Sequence, residues 1–298
     1  MRAPCLLLTG CLGAVAFLAA PADCAAQTFD TTLAVRSGAR LELHNMSGSV
    51  EIRATRRSEI RVQVEYDRAR IEVDATSNTV TLRTVPRRNG GEAAYIVEVP
   101  VGTPLQVGAL SSDISVRGVC GEAELQTLSG EVVLDCARGN IIARSTSGDV
   151  TVSDVRGRLE AGSTGGEVIV RGAQADVTAQ SVSGDVTLEQ VEGRDVSAET
   201  VSGEVAFSGS IADGGRYRFQ SHAGDVTVRP TGRSLNATVT VSTFSGDFET
   251  DYQVTLTQGG RIRPREIEFT IGNGGARLSL ASFSGTVYLR RGLPGRED

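Results

Sequence analysis

The sequence predicts an all-β chain, a right-handed parallel β-solenoid (β-helix) of about 18–22 residues per rung with an irregular β N-terminal cap. Three observations carry this reading. A Ser-Gly-Asp/Glu-Val tetrad recurs at near-constant spacing, apolar and polar residues alternate with a period of two inside each repeat, and no helical period competes with that alternation.

The tetrads begin with Ser129-Gly130-Glu131-Val132 and Ser147-Gly148-Asp149-Val150, and continue through Gly166, Gly184, Gly203, Gly224 and Gly246 to Ser284-Gly285-Thr286-Val287. Gly130, Gly148, Gly166 and Gly184 lie 18 apart, and the later gaps widen to 19, 21, 22 and 39. Ser111-Ser112-Asp113-Ile114 fits one repeat earlier, and the last gap is expected to hide a degenerate repeat. Each unit divides again: with Gly148 as position 1, Val150 and Val152 fall at 3 and 5, Gly157 at 10, Leu159 and Ala161 at 12 and 14. Alternation of this kind marks half-buried strands, and the glycines are expected to supply positive-φ corners. A single unit cannot bury its apolar side, whereas stacked units can. Stacking places Val132, Val150, Val168, Val186, Val205 and Val226 in one interior column. A second column runs Leu134, Val152, Val170, Leu188, Phe207 and Val228, and a narrow one Ala143, Ala161 and Ala179. Parallel crossovers are right-handed in nearly all proteins, which sets the expected hand.

Two other coils of this period are excluded. A hexapeptide coil needs an aliphatic residue every six, and Arg138, Arg144, Arg156 and Gln180 break that rule. The calcium-binding nonapeptide motif with its paired glycines does not occur.

Ahead of the repeats, Met1-Arg2, the apolar run Leu6–Ala20 and the small residues Cys24 and Ala26 form the three-part pattern of a secretory signal peptide, cleaved after Ala26. Leu8-Thr9-Gly10-Cys11 looks like a lipidation box, which leaves lipidation at Cys11 as an alternative. No later apolar run approaches the roughly 20 residues of a membrane helix. Residues 27–108 read as an N-terminal β cap with irregular rungs, 109–291 as the regular solenoid, and 292–298 as a disordered tail. Export to the periplasm, outer-membrane surface or extracellular space follows from the leader. Of five cysteines only Cys120 and Cys136 survive cleavage, and an oxidising compartment favours their pairing as a disulfide.

The net charge of −6, with every one of the 30 basic residues an arginine, argues against nucleic acid as a partner. The absence of lysine removes phosphate-loop and Schiff-base chemistry. His44 and His222 are the only histidines, and no Cys/His cluster has zinc spacing, so no cofactor or metal site is expected. One acidic residue follows each corner: Glu131, Asp149, Glu167, Asp185, Glu204, Asp225 and Asp247. Stacked, they form a ladder that either accepts corner N–H groups or meets nearby arginines, or bridges through a cation. Carboxylates on one solenoid face also allow a carbohydrate-active enzyme as an alternative. The residue before each Ser-Gly is Leu128, Thr146, Thr164, Val182, Val201, His222, Phe244 and Phe283. If this position faces outward, Val182, Val201, His222, Phe244 and Phe283 make an apolar contact ridge; if it tucks into the corner they are core.

The tetrads, together with Met46-Ser-Gly-Ser-Val50, Val97-Glu-Val-Pro-Val-Gly102 and the closing stretch Ile271–Leu289, resemble the DUF4097 family of β-strand-repeat proteins, also called adhesin-like. The resemblance implies a right-handed solenoid exported to the bacterial envelope and brings no catalytic residues. The expected function is therefore a non-enzymatic envelope or cell-surface scaffold that binds a macromolecule, a glycan or an envelope protein, along one face. A purely structural envelope component is the further alternative.

The register makes a direct prediction. Val150→Asp or Val168→Asp buries an unpaired carboxylate and costs about 4 kcal/mol or more. Thr151→Asp, on the opposite strand face, changes stability by less than about 1 kcal/mol. Equal melting temperatures for the two classes would show the register to be wrong.

Overall fold

The structure, a computed structural model, describes residues 27–87, 91–232, 234–254 and 266–292. The leader reading at 1–26, the Cys11 box and all but the first residue of the expected tail lie outside the described residues. Every regular element described is a β-strand. In chain order these are β1 (Gln27–Ala34), β2 (Arg40–Thr55), β3 (Glu59–Asp67), β4 (Ala69–Ala75), β5 (Thr79–Pro86), β6 (Glu92–Pro100) and β7 (Leu105–Arg117). Then follow β8 (Ala123–Ser129), β9 (Val132–Ser145), β10 (Val150–Gly162), β11 (Val168–Arg171), β12 (Gln174–Gln180), β13 (Val186–Thr200) and β14 (Val205–Ser221). The last are β15 (Val226–Thr231), β16 (Ala237–Thr243), β17 (Phe248–Thr250), β18 (Glu266–Ile271), β19 (Ala276–Ser282) and β20 (Val287–Leu289).

Parallel pairing in the expected register builds a β-solenoid. Val132, Val150, Val168, Val186, Val205 and Val226 face one another rung to rung and are all fully buried. On the opposite sheet Ala143, Ala161, Ala179 and Ala198 stack likewise. The valine column continues at both ends, through Ile114, Val50 and Tyr95 on one side and Val287 and Phe248 on the other. Its length is about ten strand spacings, or roughly 48 Å.

The ends depart from chain order. At the start, β2 is not outermost: it lies between β7 and the pair β5 and β6. At the finish, β19 and β20 slide between the rung of β14 and β15 and the rung of β16 and β17. The stretch after Gly246 was expected to hide another parallel repeat. Among the described residues it holds instead β18, antiparallel to β16, and then the returning rung of β19 and β20. Antiparallel strands therefore sit outside the parallel stack: β3 on β6 with β1 beyond it, β4 on β5, and β18 on β16. They cover edges that would otherwise template further parallel pairing. Arg290 fastens the inserted rung to its outer neighbour, donating to Glu249 at 2.6 Å and Asp251 at 3.1 Å.

The corners show a feature the tetrads conceal. Three residues before each corner glycine stands a buried hydroxyl: Thr127, Ser145, Ser163, Ser181, Thr200, Ser221 and Ser282. Ser163 donates to the Gly148 carbonyl of the preceding rung at 2.8 Å and accepts the Gly166 N–H of its own rung at 2.9 Å. Ser145 and Ser181 repeat the arrangement on their neighbours. Each of these three hydroxyls thus bridges two rungs and satisfies two backbone groups, and Thr200, Ser221 and Ser282 make the same bond to the preceding rung. At the N-terminal end Asn45 occupies this position, donating to Ala93 O at 2.9 Å and Ser112 Oγ at 3.0 Å.

The glycines serve two purposes: Gly130, Gly139 and Gly157 take the expected positive φ, at 139°, 93° and 120°, while others answer to close packing. Gly148, Gly166 and Gly184 do not sit in the left-handed region; a Cβ on each would collide with the carbonyl of the glycine one rung back. At these three, close backbone approach and not dihedral freedom is the requirement; at Gly130 both apply. The left-handed corner lies elsewhere, at Gly118, Cys136, Asp154, Gly172 and Gln190, each 18 residues from the last. Cys120, also at positive φ, donates its N–H to Cys136 O at 3.0 Å, and the two are joined by a disulfide with Cα atoms 4.7 Å apart. The corner absorbs the two-residue offset between these neighbouring rungs.

Two outcomes follow. Ser163→Ala strands a buried carbonyl and a buried N–H and costs about 2 kcal/mol in urea unfolding, whereas exposed Ser183→Ala, two residues beyond the equivalent hydroxyl of the next rung, stays within about 0.5 kcal/mol. For the disulfide, intact mass after alkylation shows two added alkyl groups only when the protein is first reduced. Two free thiols in unreduced, periplasmically expressed protein would contradict the bridge.

Candidate functional site

The corner that the hydroxyls fix also decides what faces out. The residue between the buried hydroxyl and the Ser-Gly pair points to solvent at every rung. Leu128, Val182, Val201, Phe244 and Phe283 are between 45 and 48% exposed, so the outward alternative holds. The line is longer than the sequence pattern revealed, since Met46 and Leu110 occupy the same position in the two rungs before Leu128 and are likewise exposed. Rung-to-rung hydrogen bonds run along it, from Ser147 N to Leu128 O, Ser202 N to Val182 O and Ser284 N to His222 O.

Rung inversion reorders its C-terminal end. Phe283 lies between His222 and Phe244, stacked on His222 at 4.6 Å and 12° and on Phe244 at 4.5 Å and 9°. Rings stacked along the rod axis bury their faces on one another and leave their edges outward. From Met46 to Phe244 the ridge therefore spans nine strand spacings, about 43 Å. It is apolar except at Thr146, Thr164 and His222.

Beside the ridge runs a second outward column, Gln126, Arg144, Gly162, Gln180, Glu199 and Gln220, in direct register. Between the two columns lies an open groove of about 840 Å³. The ridge side contributes Thr146, Thr164, Val182, Val201 and His222 and the other side amides and charges, which combines some apolar contact area with directional hydrogen bonding.

The acidic ladder is resolved into two kinds of carboxylate. Asp149 Oδ1 accepts the N–H of Glu167 at 2.8 Å, and Asp185 Oδ1 the N–H of Glu204 at 2.8 Å. Asp113 takes Glu131 N at 2.9 Å and Asp225 takes Thr286 N at 2.7 Å. Aspartates at alternate rungs thus fold into the corner as backbone acceptors. Glu131, Glu167 and Glu204, one methylene longer, stand between them. Alternation keeps like charges out of line, and Asp/Glu order in the sequence was its legible trace. Asp247 is exposed on the outermost rung, whose corner glycine Gly246 stacks on Gly285. The arginines near the ladder pair elsewhere, Arg144 with Glu160 and Arg171 with Glu189. Among the described residues no group of three His, Cys, Asp or Glu is arranged to hold a metal ion, and no helix is long and apolar enough to cross a membrane. His44 and His222 are exposed on different rungs.

Two tyrosines lie deep. Burial pushes the Tyr95 and Tyr217 hydroxyls above their ordinary range. Tyr95 is bonded to Thr84 at 2.7 Å, and Tyr217 donates to Gly193 O at 2.6 Å while accepting Ala212 N–H at 2.8 Å. Both are satisfied structural groups.

This geometry defines a parallel β-solenoid that carries a linear exposed edge with an open groove beside it. The chain belongs to the Toastrack DUF4097 family, whose model matches residues 38–290. No curated protein matches it. Among solved structures it is similar to a candidate adhesin of Parabacteroides distasonis, at 11% identity, covering 88% of this chain and 97% of that one, with a TM-score of 0.42. A candidate cell-adhesion protein of Clostridium sporogenes matches at 9% identity over 90% and 100% of the two chains, TM-score 0.24. A candidate adhesin of Bacteroides fragilis matches at 11% over 89% and 97%, TM-score 0.28. At these scores the likenesses carry no argument about what this chain binds.

Proposed function

We propose that the chain is an exported, non-enzymatic scaffold of the bacterial envelope or cell surface, adhesin-like in that it binds a macromolecule along its ridged edge. The observation that carries this reading is the exposed line of side chains from Met46 to Phe244 with the amide-lined groove beside it. Apolar side chains exposed in line at both ends of this ridge, and interrupted only at Thr146, Thr164 and His222, favour a contact site. Export is supported by the leader pattern of residues 1–26 and by the disulfide, which persists in oxidising compartments. The ladder aspartates are occupied as backbone acceptors, which favours binding over hydrolysis.

The test is a glycan array and an envelope-protein panel probed with the mature protein and with the triple variant Leu128→Glu, Val182→Glu, Val201→Glu. These positions are exposed, so the variant keeps its melting temperature within a few degrees. Binding by the wild type that falls about ten-fold or more in the variant, with no release of reducing ends from bound glycans, is the expected result. Binding that survives the three charges would remove the ridge from the site, and product release would restore the enzymatic alternative.

A further inference from the structure

A second concavity lies on a different face, near the C-terminal end. There β13, β14, β19, β16 and β18 lie side by side, and their outward residues form rows in direct register. One row runs Ser197, Arg218, Ser279, Thr240, Glu268. The row beside it runs Asp195, Arg216, Arg277, Thr238. The middle strands, β19 and β16, carry small hydroxyl side chains in the first row, while arginines on β14 and a glutamate on β18 rise on either side. The result is an open trough of about 850 Å³ with a hydroxyl floor.

Its charges are incompletely matched. Arg216 and Arg277 are cross-strand neighbours, a pairing of like charges that disfavours the sheet. Asp195 neutralises only Arg216, at 2.7 Å. Among the described residues Arg218 and Arg277 form no ion pair, and neither does Glu268. Arg218 and Glu268 stand three strand spacings apart, roughly 14 Å between backbones, so they face each other across the trough without closing it. In a chain with net charge −6, two unmatched guanidinium groups on diagonal positions of neighbouring strands are a local inversion of sign.

We propose that this trough binds a carboxylated sugar, such as a uronic acid residue of an oligosaccharide. The ligand must offer an anionic group and hydroxyl donors together. Arg218 and Arg277 supply fork-shaped donors suited to a carboxylate. Glu268 opposite accepts from sugar hydroxyls, and Ser279 and Thr240 both donate and accept between them. A plain polyanion would meet Glu268 and Asp195 with repulsion, and a neutral sugar would leave the arginines unmatched. The trough is separate from the ridge, so either reading can fail without the other.

Calorimetric titration of the mature protein with a galacturonate tetrasaccharide, galacturonic acid, cellotetraose and inorganic sulfate tests this. The tetrasaccharide binds and cellotetraose and sulfate do not; binding of the monomer as well assigns the site to a single sugar acid, and its absence assigns it to the polymer. Arg218→Ala and Arg277→Ala each weaken binding about ten-fold or more, and Glu268→Gln weakens it several-fold. Arg218→Lys restores only part of the affinity, because the fork is lost. Val182→Glu, on the ridge, leaves it unchanged. Each variant is first shown to melt as the wild type does. No binding of either galacturonate ligand, equal binding of cellotetraose or sulfate, or variants that bind like the wild type would each overturn the proposal.

Discussion

The corner at which a glycine of one rung meets the carbonyl of the glycine beneath it sets the rest of the molecule. Backbones approach there too closely for any Cβ, and the carbonyl so enclosed would be unsatisfied without the hydroxyl three residues upstream of the next glycine. The two requirements are coupled. The glycine permits the approach, the approach buries polar groups, and the serine or threonine answers them. Once the corner is fixed, strand register on both sides follows, and with it the valine and alanine columns. A shift by one residue would expose both columns and strand the hydroxyls together.

The same stacking that stabilises the interior would continue without limit at the ends, since each outer rung presents unpaired backbone groups. The chain counters this by capping the outer parallel rungs with antiparallel strands, β3 on β6, β4 on β5 and β18 on β16. The first and last parallel rungs, β2 and the pair β19 and β20, lie one level inside, each held on both edges. Arg290 works in this setting, tying Glu249 and Asp251 of the outer rung to the inserted one. The Asp251 carboxyl is held below its ordinary range by this arginine, first through the hydrogen bond itself. The clamp is present above the ordinary carboxylate range and is lost as pH falls through the depressed value.

Much of this was legible in the sequence, because a solenoid writes its geometry once per rung. The interior columns, the corner glycines and the Cys120–Cys136 pairing all follow from spacing and redox context. Three things did not. The hydroxyl at Thr127, Ser145, Ser163, Ser181, Thr200, Ser221 and Ser282 is as periodic as the glycine, but serine and threonine abound in turns, so its burial leaves no compositional mark. The Asp/Glu alternation is visible only when one asks which carboxylate is short enough to fold back onto the next N–H. Rung inversion has no local signal at all: whether β20 or β17 pairs with the edge of β15 that β14 leaves open is a long-range choice. The trough was missed for the same reason, since Arg218, Ser279, Thr240 and Glu268 become a row only after the inversion.

The ridge differs from all these features in what folding asks of it. At the position before Ser-Gly the side chain lies between a buried hydroxyl and an exposed serine, and alternation turns it outward whatever its identity. Thr146 and Thr164 occupy it in the most regular rungs with the same backbone hydrogen bonds as their neighbours. A polar residue therefore satisfies the corner fully. Leu128, Val182, Val201, Phe283 and Phe244 leave nearly half of their surface in water, and Phe283 stacks on Phe244 and His222. Apolar exposure of that extent works against solubility and adds little to the core. The fold of the isolated chain does not require it, and the proposed contact along the ridge would account for it.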